Sequence, residues 1–367
     1  MKNKKLAIIG SRGYPYIYSG YETFVKEIIE RLIAHDFEIT VYCHEQLFIE
    51  KPKKINGINL VYIPTIETKT LSQFIHSFLS TLHVCFSDIE IILYVNSANG
   101  PFGILTKLFR KKTLINVDGL EWCRPKWKGI GAKYFYYSSK IACKLFDVII
   151  TDSIEMKKIY LKEFNCDSTV IAYGGNLRES SKPSIIQKFN IEKNKYYLIV
   201  GRLIPDNNAD LIIKEFINTS TQKKLVVVGD VPYKDTYAEN IKNINDERVI
   251  FTGYVKDQDL LAELYHNSYA YIHGHEFGGT NPTLLKALAY GCAILALDTR
   301  FSREVLDNEK YGVYFCKNNE SLYNLINNID GNSKLINKYK MKSRQRIIEN
   351  YTWEKITKQY KDLIFNL

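Results

Sequence analysis

An arginine, several glycines and a glutamate separate the first apolar segment from the first helical pattern, in the stretch GSRGYPYIYSGYE at residues 10–22. Ser19 and Glu22 have the Ser-x-x-Glu spacing of a helix capping box. Gly20 then falls in the first helical turn, where free backbone N–H groups favour a phosphate or another anion. A glycine turn before a capped helix explains the glycines alone equally well. The Gly-x-Gly-x-x-Gly spacing is absent, which disfavours a nicotinamide dehydrogenase.

A second group of candidate phosphate ligands stands in the C-terminal half. Arg202 follows an apolar segment, and an arginine there could clamp a diphosphate with two parallel hydrogen bonds. A surface arginine is the alternative. The stretch HGHEFGGTNPTLLKALAYGC, residues 273–292, reads as strand, glycine turn and helix. The turn predicts another helix start suited to phosphate, made of Gly278, Gly279, Thr280 and Asn281.

Metal-ligand patterns are weak in this sequence. His273 and His275 share a strand face, but no third ligand is nearby, which favours a structural or substrate-contacting role. Asp257 and Asp259 match Asp-x-Asp, yet they stand at a predicted helix start, where capping explains them better. Seven scattered cysteines without a Cys-x-x-Cys pair indicate reduced, mostly buried thiols. We therefore expect no bound metal.

Short apolar segments that alternate with helical patterns must position these residues. We expect strands near 6–10, 38–43, 60–64, 89–95, 113–117, 148–152, 169–173, 196–201, 224–229, 249–253, 270–274, 292–297 and 311–315. Helices are expected near 21–34, 71–86, 101–110, 130–146, 154–164, 208–218, 257–267, 280–290 and 319–329, and the tail from 332 to 367 also reads as helical. This alternation predicts an α/β protein with parallel sheets covered by helices. Ligands should then bind at the carboxyl ends of the strands.

The number of predicted strands exceeds one sheet and indicates two Rossmann-like domains. The Gly-, Ser- and Pro-rich stretch GGNLRESSKPS, residues 174–184, predicts the boundary between them. We expect an N-terminal domain over 1–178, a C-terminal domain over 179–350 and a final helix over 351–367 that packs back across the interface. That helix carries a predicted apolar stripe of Trp353, Ile356, Tyr360 and Ile364.

The 367-residue chain has a formal charge of +10, and 46% of its residues are hydrophobic. Its apolar runs fall short of the ~18 residues of a membrane-spanning helix. The start MKNKKLAIIG reads as a first strand in a cytoplasmic protein rather than as a secretion signal. The charge leaves nucleic acid, a phosphorylated substrate or an anionic membrane as partners. Basic clusters at 107–112 and 124–133 are the candidate contacts, with a solvated surface as the alternative.

Five ordered stretches together resemble the retaining GT-B glycosyltransferases, and in particular the bacterial rhamnosyltransferase-like branch that builds capsule, O-antigen and cell-wall polysaccharide. They are GSRGYPYIYSGYETFVKEI, VDGLEWCRPKWKG, VGRLIPDNNADLII, HGHEFGGTNPTLLKALAYGC and LDTRFSREVL. The resemblance spans nearly the whole chain. It implies the GT-B fold, in which two Rossmann-like domains face a central cleft.

The resemblance also implies roles for particular residues. The donor would contact Gly20, Arg202, Gly278, Gly279, Thr280, Asn281 and Lys286. The catalytic residues would be Asp118, near the reacting sugar, and Arg202, against the donor diphosphate. The acceptor would contact Arg12, Tyr14, Glu121 and Trp122. Lys286 stands where relatives carry a ribose-binding glutamate, and a lysine cannot accept the ribose hydroxyl protons.

The implied reaction is transfer of L-rhamnose from dTDP-rhamnose to a polyprenyl-diphosphate-linked saccharide, without a metal. The enzyme would be cytoplasmic and would lie peripherally on the inner face of the cell membrane through its basic clusters and aromatics, without binding nucleic acid. Two alternatives stay open. A nucleotide-sugar epimerase of the same fold would need no acceptor, and an inactive sugar-nucleotide-binding subunit would explain Lys286.

Overall fold

The computed structural model describes residues 4–16, 20–66, 71–127, 129–231 and 234–367. The chain divides into two units, one made of Met1–Tyr173 with Trp353–Leu367 and the other of Gly174–Thr352. It therefore changes unit at 173/174 and at 352/353, whereas the sequence suggests borders at 178/179 and 350/351. Each unit is built on a sheet of its own.

The strands of the N-terminal unit, among the described residues, are β1 (Lys4–Ile9), β2 (Phe37–His44), β3 (Lys54–Ile55), β4 (Ile58–Ile63), β5 (Ile91–Val95), β6 (Lys112–Asn116), β7 (Val148–Thr151) and β8 (Thr169–Val170). They form one sheet in the order β3-β4-β2-β1-β5-β6-β7-β8. Neighbours pair in parallel, apart from β3 with β4. The order reverses between β1 and β5, and such a switch point opens a crevice for ligands at the carboxyl ends of the strands.

Helices cover this sheet at α1 (Gly20–Leu32), α2 (Ser72–Cys85), α3 (Gly103–Leu108), α4 (Ile130–Leu145) and α5 (Ile154–Phe164). The predicted apolar stripe of α1 is confirmed, because Phe24, Ile28 and Leu32 are all buried. Every residue of β5 is buried as well. Burial on both faces is typical of a parallel strand, and it explains the continuous apolar run IILYV.

The short strand β3 is absent from the sequence-based prediction. It pairs antiparallel with β4 through a turn at Asn56 and Gly57, whose φ angles are +50° and +83°. Two successive residues with positive φ are the signature of a two-residue hairpin turn, and Asn-Gly is its most common sequence. The Asn-Gly pair that predicts this hairpin was therefore present in the sequence.

The strands of the C-terminal unit are β9 (Tyr196–Val200), β10 (Lys224–Val228), β11 (Val249–Gly253), β12 (Ala270–His273), β13 (Ile294–Leu297) and β14 (Val313–Phe315). They form a parallel sheet in the order β11-β10-β9-β12-β13-β14. Its helices are α6 (Ala209–Ile217), α7 (Thr236–Lys242), α8 (Gln258–His266), α9 (Pro282–Ala289), α10 (Arg300–Val305), α11 (Ser321–Ile329) and α12 (Ser333–Arg346). The order reverses between β9 and β12.

The last helix, α13 (Trp353–Phe365), belongs to the N-terminal unit. A π-helical turn over Ile347–Tyr351 precedes it. The Phe24 ring of α1 lies 6.4 Å from the Trp353 ring and 5.4 Å from the Tyr360 ring, measured between centroids. The predicted stripe is buried at all four positions. The expectation that the final helix returns to the N-terminal unit is therefore confirmed.

The predicted strands and helices are confirmed to within a few residues at their ends. Two short helices, α7 and α10, were not predicted, because neither is long enough to show a clear period. Each has a helix-capping residue in its sequence. Asp235 accepts backbone N–H groups at the start of α7, and Thr299 does so at the start of α10.

Candidate active site

The loop after β1 is held against the sheet by a glycine and a buried glutamate. Gly13 has a φ of +121°, and a Cβ at this position would lie 2.7 Å from the Cys43 sulfur. Glycine is therefore required both for the backbone conformation and for the close approach. The carboxylate of Glu22 is buried, and its Oε1 accepts the backbone N–H of Arg12 at 3.3 Å.

Consecutive residues at the start of α1 have separate contacts. Gly20 is the first residue of the helix, as the capping-box spacing predicts, and Ser19 lies outside the described residues. Tyr21 donates its hydroxyl proton to Oδ1 of Asp118, and Glu22 holds the preceding loop. One helix start therefore carries both the predicted anion site and a contact to the predicted catalytic carboxylate.

Asp118 follows β6 at the carboxyl edge of the N-terminal sheet. The Tyr173 hydroxyl donates to its Oδ2 at 2.6 Å, so each carboxylate oxygen accepts one phenolic proton. Burial raises the pKa of Asp118, whereas the two hydroxyls and Arg124 favour its charged form. The residue keeps part of its surface accessible to solvent. The arrangement is that of an oriented acceptor able to take a sugar hydroxyl.

Glu121, a predicted acceptor contact, is 3% exposed and engaged at both oxygens. Arg124 Nη1 lies 3.1 Å from Oε1, and Lys126 Nζ lies 3.1 Å from Oε2. The Trp127 indole N–H also donates to Oε2, at 2.8 Å. Burial acts to raise the pKa of Glu121, but these partners outweigh it and the pKa lies below its usual value. In this structure Glu121 fixes the loop after Asp118.

Two further residues expected at the acceptor lie in packed surroundings. Tyr14 is 1% exposed, and its hydroxyl donates to Glu30 at 2.7 Å and accepts from Asn56 at 3.0 Å. Trp122 packs against three rings of α4 and α5, those of Tyr136, Tyr160 and Phe164. These contacts hold both side chains in the fold, and their role toward an acceptor stays a prediction. Arg12 is half-buried in the loop after β1.

In the C-terminal unit, two loops follow β9 and β12, the neighbouring strands at which that sheet reverses its order. The Asn208 amide donates to the Gly274 carbonyl at 2.8 Å, and His275 Nδ1 lies 2.8 Å from Asn207 Oδ1. A Cβ on Gly274 would lie 2.3 Å from the Asn207 carbonyl oxygen, so only glycine allows the loops to come this close. The two loops thus form one cross-linked ligand edge.

Arg202 stands at this edge with its backbone fixed and its head group exposed. Its carbonyl accepts the Asn207 amide at 2.8 Å. Its guanidinium makes no hydrogen bond or ion pair with the part of the chain that the structure describes. A bidentate donor that is held at its backbone and exposed at its tip suits a diphosphate.

Three residues of the glycine turn before α9 are buried, and all three are predicted to contact the sugar donor. They are Gly278, Gly279 and Thr280. Asn281 is the N-cap of α9, and its Oδ1 accepts the backbone N–H of Thr283 at 2.9 Å. Pro282 is the first helical residue, a position where proline is favoured. The Asn281 oxygen is therefore committed to the helix.

Lys286 lies in the middle of α9 and is half-buried, between the buried residues Leu285 and Ala287. Glu276 precedes the glycine turn and forms an ion pair with Lys317. The packed neighbours of Lys286 leave this stretch of helix little freedom to rotate. The structure thus fixes the position of Lys286 on the helix, while its role toward a nucleotide stays a prediction.

Neither metal-ligand pattern collects further ligands. His273 is 4% exposed, and burial lowers its pKa to about 3, so the ring is neutral. His275 is bound through both ring nitrogens, to Asn207 and to the Phe277 carbonyl. Asp257 caps α8 as predicted. Within the described ranges, no group of three or more His, Cys, Asp and Glu residues could hold a metal ion.

Two family models together match most of the sequence. The one described as a domain of unknown function, DUF1972, matches residues 3–176, and the one described as "Glycosyl transferases group 1" matches residues 181–355. The C-terminal half of the chain is therefore that of a group 1 glycosyltransferase. This glycosyltransferase is 28% identical, over 72% of its length and 71% of the relative's, to the uncharacterised glycosyltransferase MJ1069 of Methanocaldococcus jannaschii.

A second relative of the glycosyltransferase is an N-acetylgalactosamine-N,N'-diacetylbacillosaminyl-diphospho-undecaprenol 4-alpha-N-acetylgalactosaminyltransferase of Campylobacter jejuni. The two are 28% identical over 42% of each chain. Among solved structures, the sucrose-phosphate synthase of Thermosynechococcus elongatus gives a TM-score of 0.82 at 17% identity, covering 99% of both chains. HepE of Anabaena, solved with UDP, gives 0.78 at 14% identity and covers 99% of this chain and 100% of its own. These structures show the GT-B fold.

Sequence analysis missed several residues that organise the glycosyltransferase's N-terminal site. Tyr21 and Tyr173 stand 152 positions apart and meet only at Asp118. Asn96, after β5, donates to the Tyr21 hydroxyl at 3.2 Å. Each begins a predicted helix or stands at or just after the end of a predicted strand, which was an available signal. The convergence of their side chains depends on the strand order, which the sequence does not state.

Proposed function

We propose that this glycosyltransferase transfers L-rhamnose, with retention, from dTDP-rhamnose to a polyprenyl-diphosphate-linked saccharide. The observation that carries the proposal is the exposed Arg202 guanidinium on the cross-linked ligand edge of the C-terminal sheet. A nucleoside diphosphate supplies the anion that such a donor binds. The choice of rhamnose rests on the five sequence stretches that resemble the rhamnosyltransferase-like branch.

The relatives support the donor and acceptor classes. HepE has been solved with UDP-glucose, which is a nucleotide sugar. The Campylobacter jejuni relative acts, by its name, on a diphospho-undecaprenol-linked saccharide. A WaaG structure, described as a glycosyltransferase of lipopolysaccharide biosynthesis, gives a TM-score of 0.72 at 13% identity, covering 98% of this chain and 99% of its own. We therefore infer a role in surface polysaccharide synthesis.

The chemistry that we propose needs charge stabilisation rather than a protein nucleophile. Cleavage of the donor leaves negative charge on the diphosphate, which Arg202 and the start of α9 stabilise. The leaving phosphate takes the proton of the attacking hydroxyl on the same face of the sugar. Asp118 holds a sugar hydroxyl by accepting its hydrogen bond. Since the charge is met by Arg202 and backbone N–H groups, no metal is required.

A surface that combines apolar and basic side chains supports attachment to a membrane. Phe86 and Leu108 are 78% and 72% exposed, and the Phe86 ring lies 4.9 Å from the half-exposed Phe109 ring. Lys107, in the same segment, is exposed. Such a surface suits the boundary of an anionic bilayer. No helix in the described part of the chain is long and apolar enough to span a membrane.

Not every basic residue of the predicted clusters belongs to this surface. The Lys111 ammonium donates to the carbonyls of Ser87 and Ile89, both at 2.7 Å, so it serves the fold. Lys126 pairs with the buried Glu121. Lys128 lies outside the described residues. The membrane contact is therefore assigned to the exposed cations nearest the apolar side chains, which are Lys107, Arg110 and Lys112.

The test of the donor is a thermal-shift screen of the purified protein against nucleotide sugars, followed by transfer to a synthetic polyprenyl-diphosphate saccharide. We expect dTDP-rhamnose to raise the melting temperature, because a ligand of the folded state stabilises it by mass action. Transfer should then require the acceptor. Turnover of the donor without acceptor would favour the epimerase instead. Binding without turnover would favour the inactive subunit that Lys286 suggests.

The membrane contact is tested separately by flotation with vesicles of anionic phospholipid. Leu108→Asp should weaken binding at least several-fold, because it puts a charge into the apolar surface. The matched control is Ile49→Asp, since Ile49 is another exposed apolar side chain of the same unit. Equal binding of Leu108→Asp and wild type would exclude this surface.

A further inference from the structure

We infer that Tyr21 and Tyr173 are positioning residues, whose hydroxyls orient the Asp118 carboxylate so that its remaining lone pairs accept a sugar hydroxyl. This inference rests on the proposed transfer reaction. A carboxylate offers about four acceptor positions, and the two tyrosines occupy one on each oxygen. Asp118 as a whole is half-buried and keeps part of its surface accessible to solvent. The two tyrosines, which we call the clamp, therefore leave acceptor positions of Asp118 available to a substrate.

The direction of the hydrogen bond from Tyr21 is fixed by its neighbour Asn96. The backbone N–H of Ala98 donates to Asn96 Oδ1 at 2.8 Å, which sets the orientation of the amide. The amide nitrogen then donates to the Tyr21 oxygen at 3.2 Å. The Tyr21 oxygen thus accepts the hydrogen bond from Asn96, and its hydroxyl donates to the Asp118 carboxylate, which when ionised can only accept. The chain of donors thus ends on the carboxylate.

Asn96 holds this place in an unusual backbone conformation. Its φ is +80° and its ψ is 131°, a region that L-residues rarely adopt. Such conformations persist where the surrounding contacts determine them, and they are frequent at functional sites. At Asn96 the conformation places the amide between the Ala98 backbone and the Tyr21 hydroxyl. The second contact serves Asp118 rather than the fold of the loop alone.

Tyr173 is anchored on the other side of the carboxylate. It is 1% exposed, and its hydroxyl lies 2.6 Å from Asp118 Oδ2 but 3.5 Å from Asn116 Oδ1. The shorter bond goes to the carboxylate, which is the stronger acceptor. Asn116 in turn donates to the Tyr360 hydroxyl at 2.8 Å. The position of Tyr173 therefore depends on buried contacts, and not on a substrate.

The charged groups around the clamp determine when Asp118 ionises. Burial raises its pKa, and the hydrogen bonds from Tyr173 and Tyr21 lower it, as does Arg124, while Glu121 raises it. Both tyrosines have pKa values well above the usual one, first because of burial and then because of the Asp118 charge. They stay protonated and remain donors. The charge of Asp152 also raises the pKa of Tyr173. Losing either phenolic donor should raise the pKa of Asp118.

The experiment measures the titration of Asp118 in Tyr21→Phe and Tyr173→Phe. The carboxyl carbon of Asp118 is followed by ¹³C NMR, with its signal assigned by its loss in Asp118→Asn. We expect each variant to raise the pKa of Asp118 by about one unit, the scale of a hydrogen bond to a charged group. The acidic limb of kcat/KM against pH should move upward by the same amount. Activity should therefore fall about tenfold below the limb and little above it.

Tyr42→Phe is the matched control, since Tyr42 is buried in the same unit and its hydroxyl bonds to His83 at 2.9 Å. It should move neither the NMR titration nor the acidic limb. The inference is overturned if the Asp118 titration is the same in all three variants and wild type. It is also overturned if the titration moves while the acidic limb stays in place. If wild type transfers no sugar, the proposed function fails, and the NMR titration still decides whether the tyrosines control Asp118.

Discussion

Each unit carries a group of candidate residues, which we call a half-site, around Asp118 in the N-terminal unit and around Arg202 in the C-terminal unit. The two half-sites are held together in different ways. Around Asp118, buried side chains donate directly to the functional group through Tyr21 and Tyr173. Around Arg202, hydrogen bonds organise the loops, and the functional guanidinium itself is exposed. The first half-site is ordered before any substrate arrives. The second holds its backbone in place and leaves the side chain to be ordered by its ligand.

This difference fits the chemistry that we propose for each half-site. A carboxylate that accepts one sugar hydroxyl must present its lone pairs in a fixed direction, which two rigid phenols can provide. A guanidinium that meets a diphosphate has five donors and tolerates small displacements. Fixing a long exposed side chain in advance would also cost conformational entropy. We therefore expect mutations in the two half-sites to differ in kind.

The largest expected effect concerns stability, and it comes from a buried histidine in each unit, His76 and His273. Burial, first, and then His44 lower the pKa of His76 from its usual 6.5 to about 3, and burial does the same to His273. The unfolded chain binds a proton near pH 6.5 that the folded chain does not, so stability is lost as pH falls from 6.5 toward 3. Each histidine accounts for about 4–5 kcal/mol over that range.

The measurement is the free energy of unfolding between pH 4 and 7 in urea. His76→Gln should reduce the slope of stability against pH by about one proton, or about 1.4 kcal/mol per pH unit. His35→Gln is the control, because His35 is exposed in the same unit. An unchanged slope in His76→Gln would mean that His76 is protonated in the fold.

The next effect tests the exposed half-site. Arg202→Ala should lower kcat/KM by the equivalent of about 2–4 kcal/mol of transition-state stabilisation, the usual scale for removing one donor to a developing negative charge. The melting temperature should hardly change, because the guanidinium makes no hydrogen bond or ion pair with the described part of the chain. Lys214→Ala, at another exposed cation of the C-terminal unit, serves as the control. Activity within a few-fold of wild type would remove Arg202 from the site.

Lys286 should have a smaller effect, and on binding alone. Lys286→Glu restores an acceptor for the two ribose hydroxyls, so donor affinity should stay equal or improve by up to about tenfold. Calorimetry on wild type, Lys286→Glu and Lys286→Ala provides the comparison. Equal affinities in all three proteins would show that Lys286 does not touch the nucleotide. The match with the ribose-binding position would then be incorrect.

The smallest expected effect is that of removing divalent metal. Transfer in excess EDTA should proceed at the wild-type rate, because Arg202 and backbone N–H groups already meet the charge on the diphosphate. The check is to add magnesium or manganese back. A complete loss of activity in EDTA that either ion restores would show that the cationic half-site is insufficient.

The strands were predictable because a parallel sheet buries both faces of each strand, which leaves uninterrupted runs such as that of β5. Local signals also located Gly20, Asn281 and Arg202 at helix starts and strand ends. The contacts of side chains were less predictable. Tyr14 stands in a loop that ends at the candidate site, but its ring lies in the core. The position of Tyr14 in the sequence placed it in the loop after β1, but it did not show that the side chain points into the core.

Tyr21 and Tyr173 show the opposite limit. Their places at the start of a predicted helix and the end of a predicted strand mark them only weakly among the 27 tyrosines of the chain. Their significance comes from the order of the strands, which brings the start of α1 and the end of β8 to the loop after β6. An interaction between three distant segments carries no periodicity or motif. It becomes visible only once the topology is known.

The place of α13 has a consequence for the order in which the protein is made. Residues 353–367 leave the ribosome after the whole of segment 174–352, yet they belong to the N-terminal unit. Until they emerge, Phe24 lacks its contacts with Trp353 and Tyr360, and Asn116 lacks its bond to Tyr360. The second unit is the continuous segment 174–352, so it can fold without any segment that is made later. A nascent chain can therefore complete its second unit before its first, and a truncated product would lack part of the first unit's core.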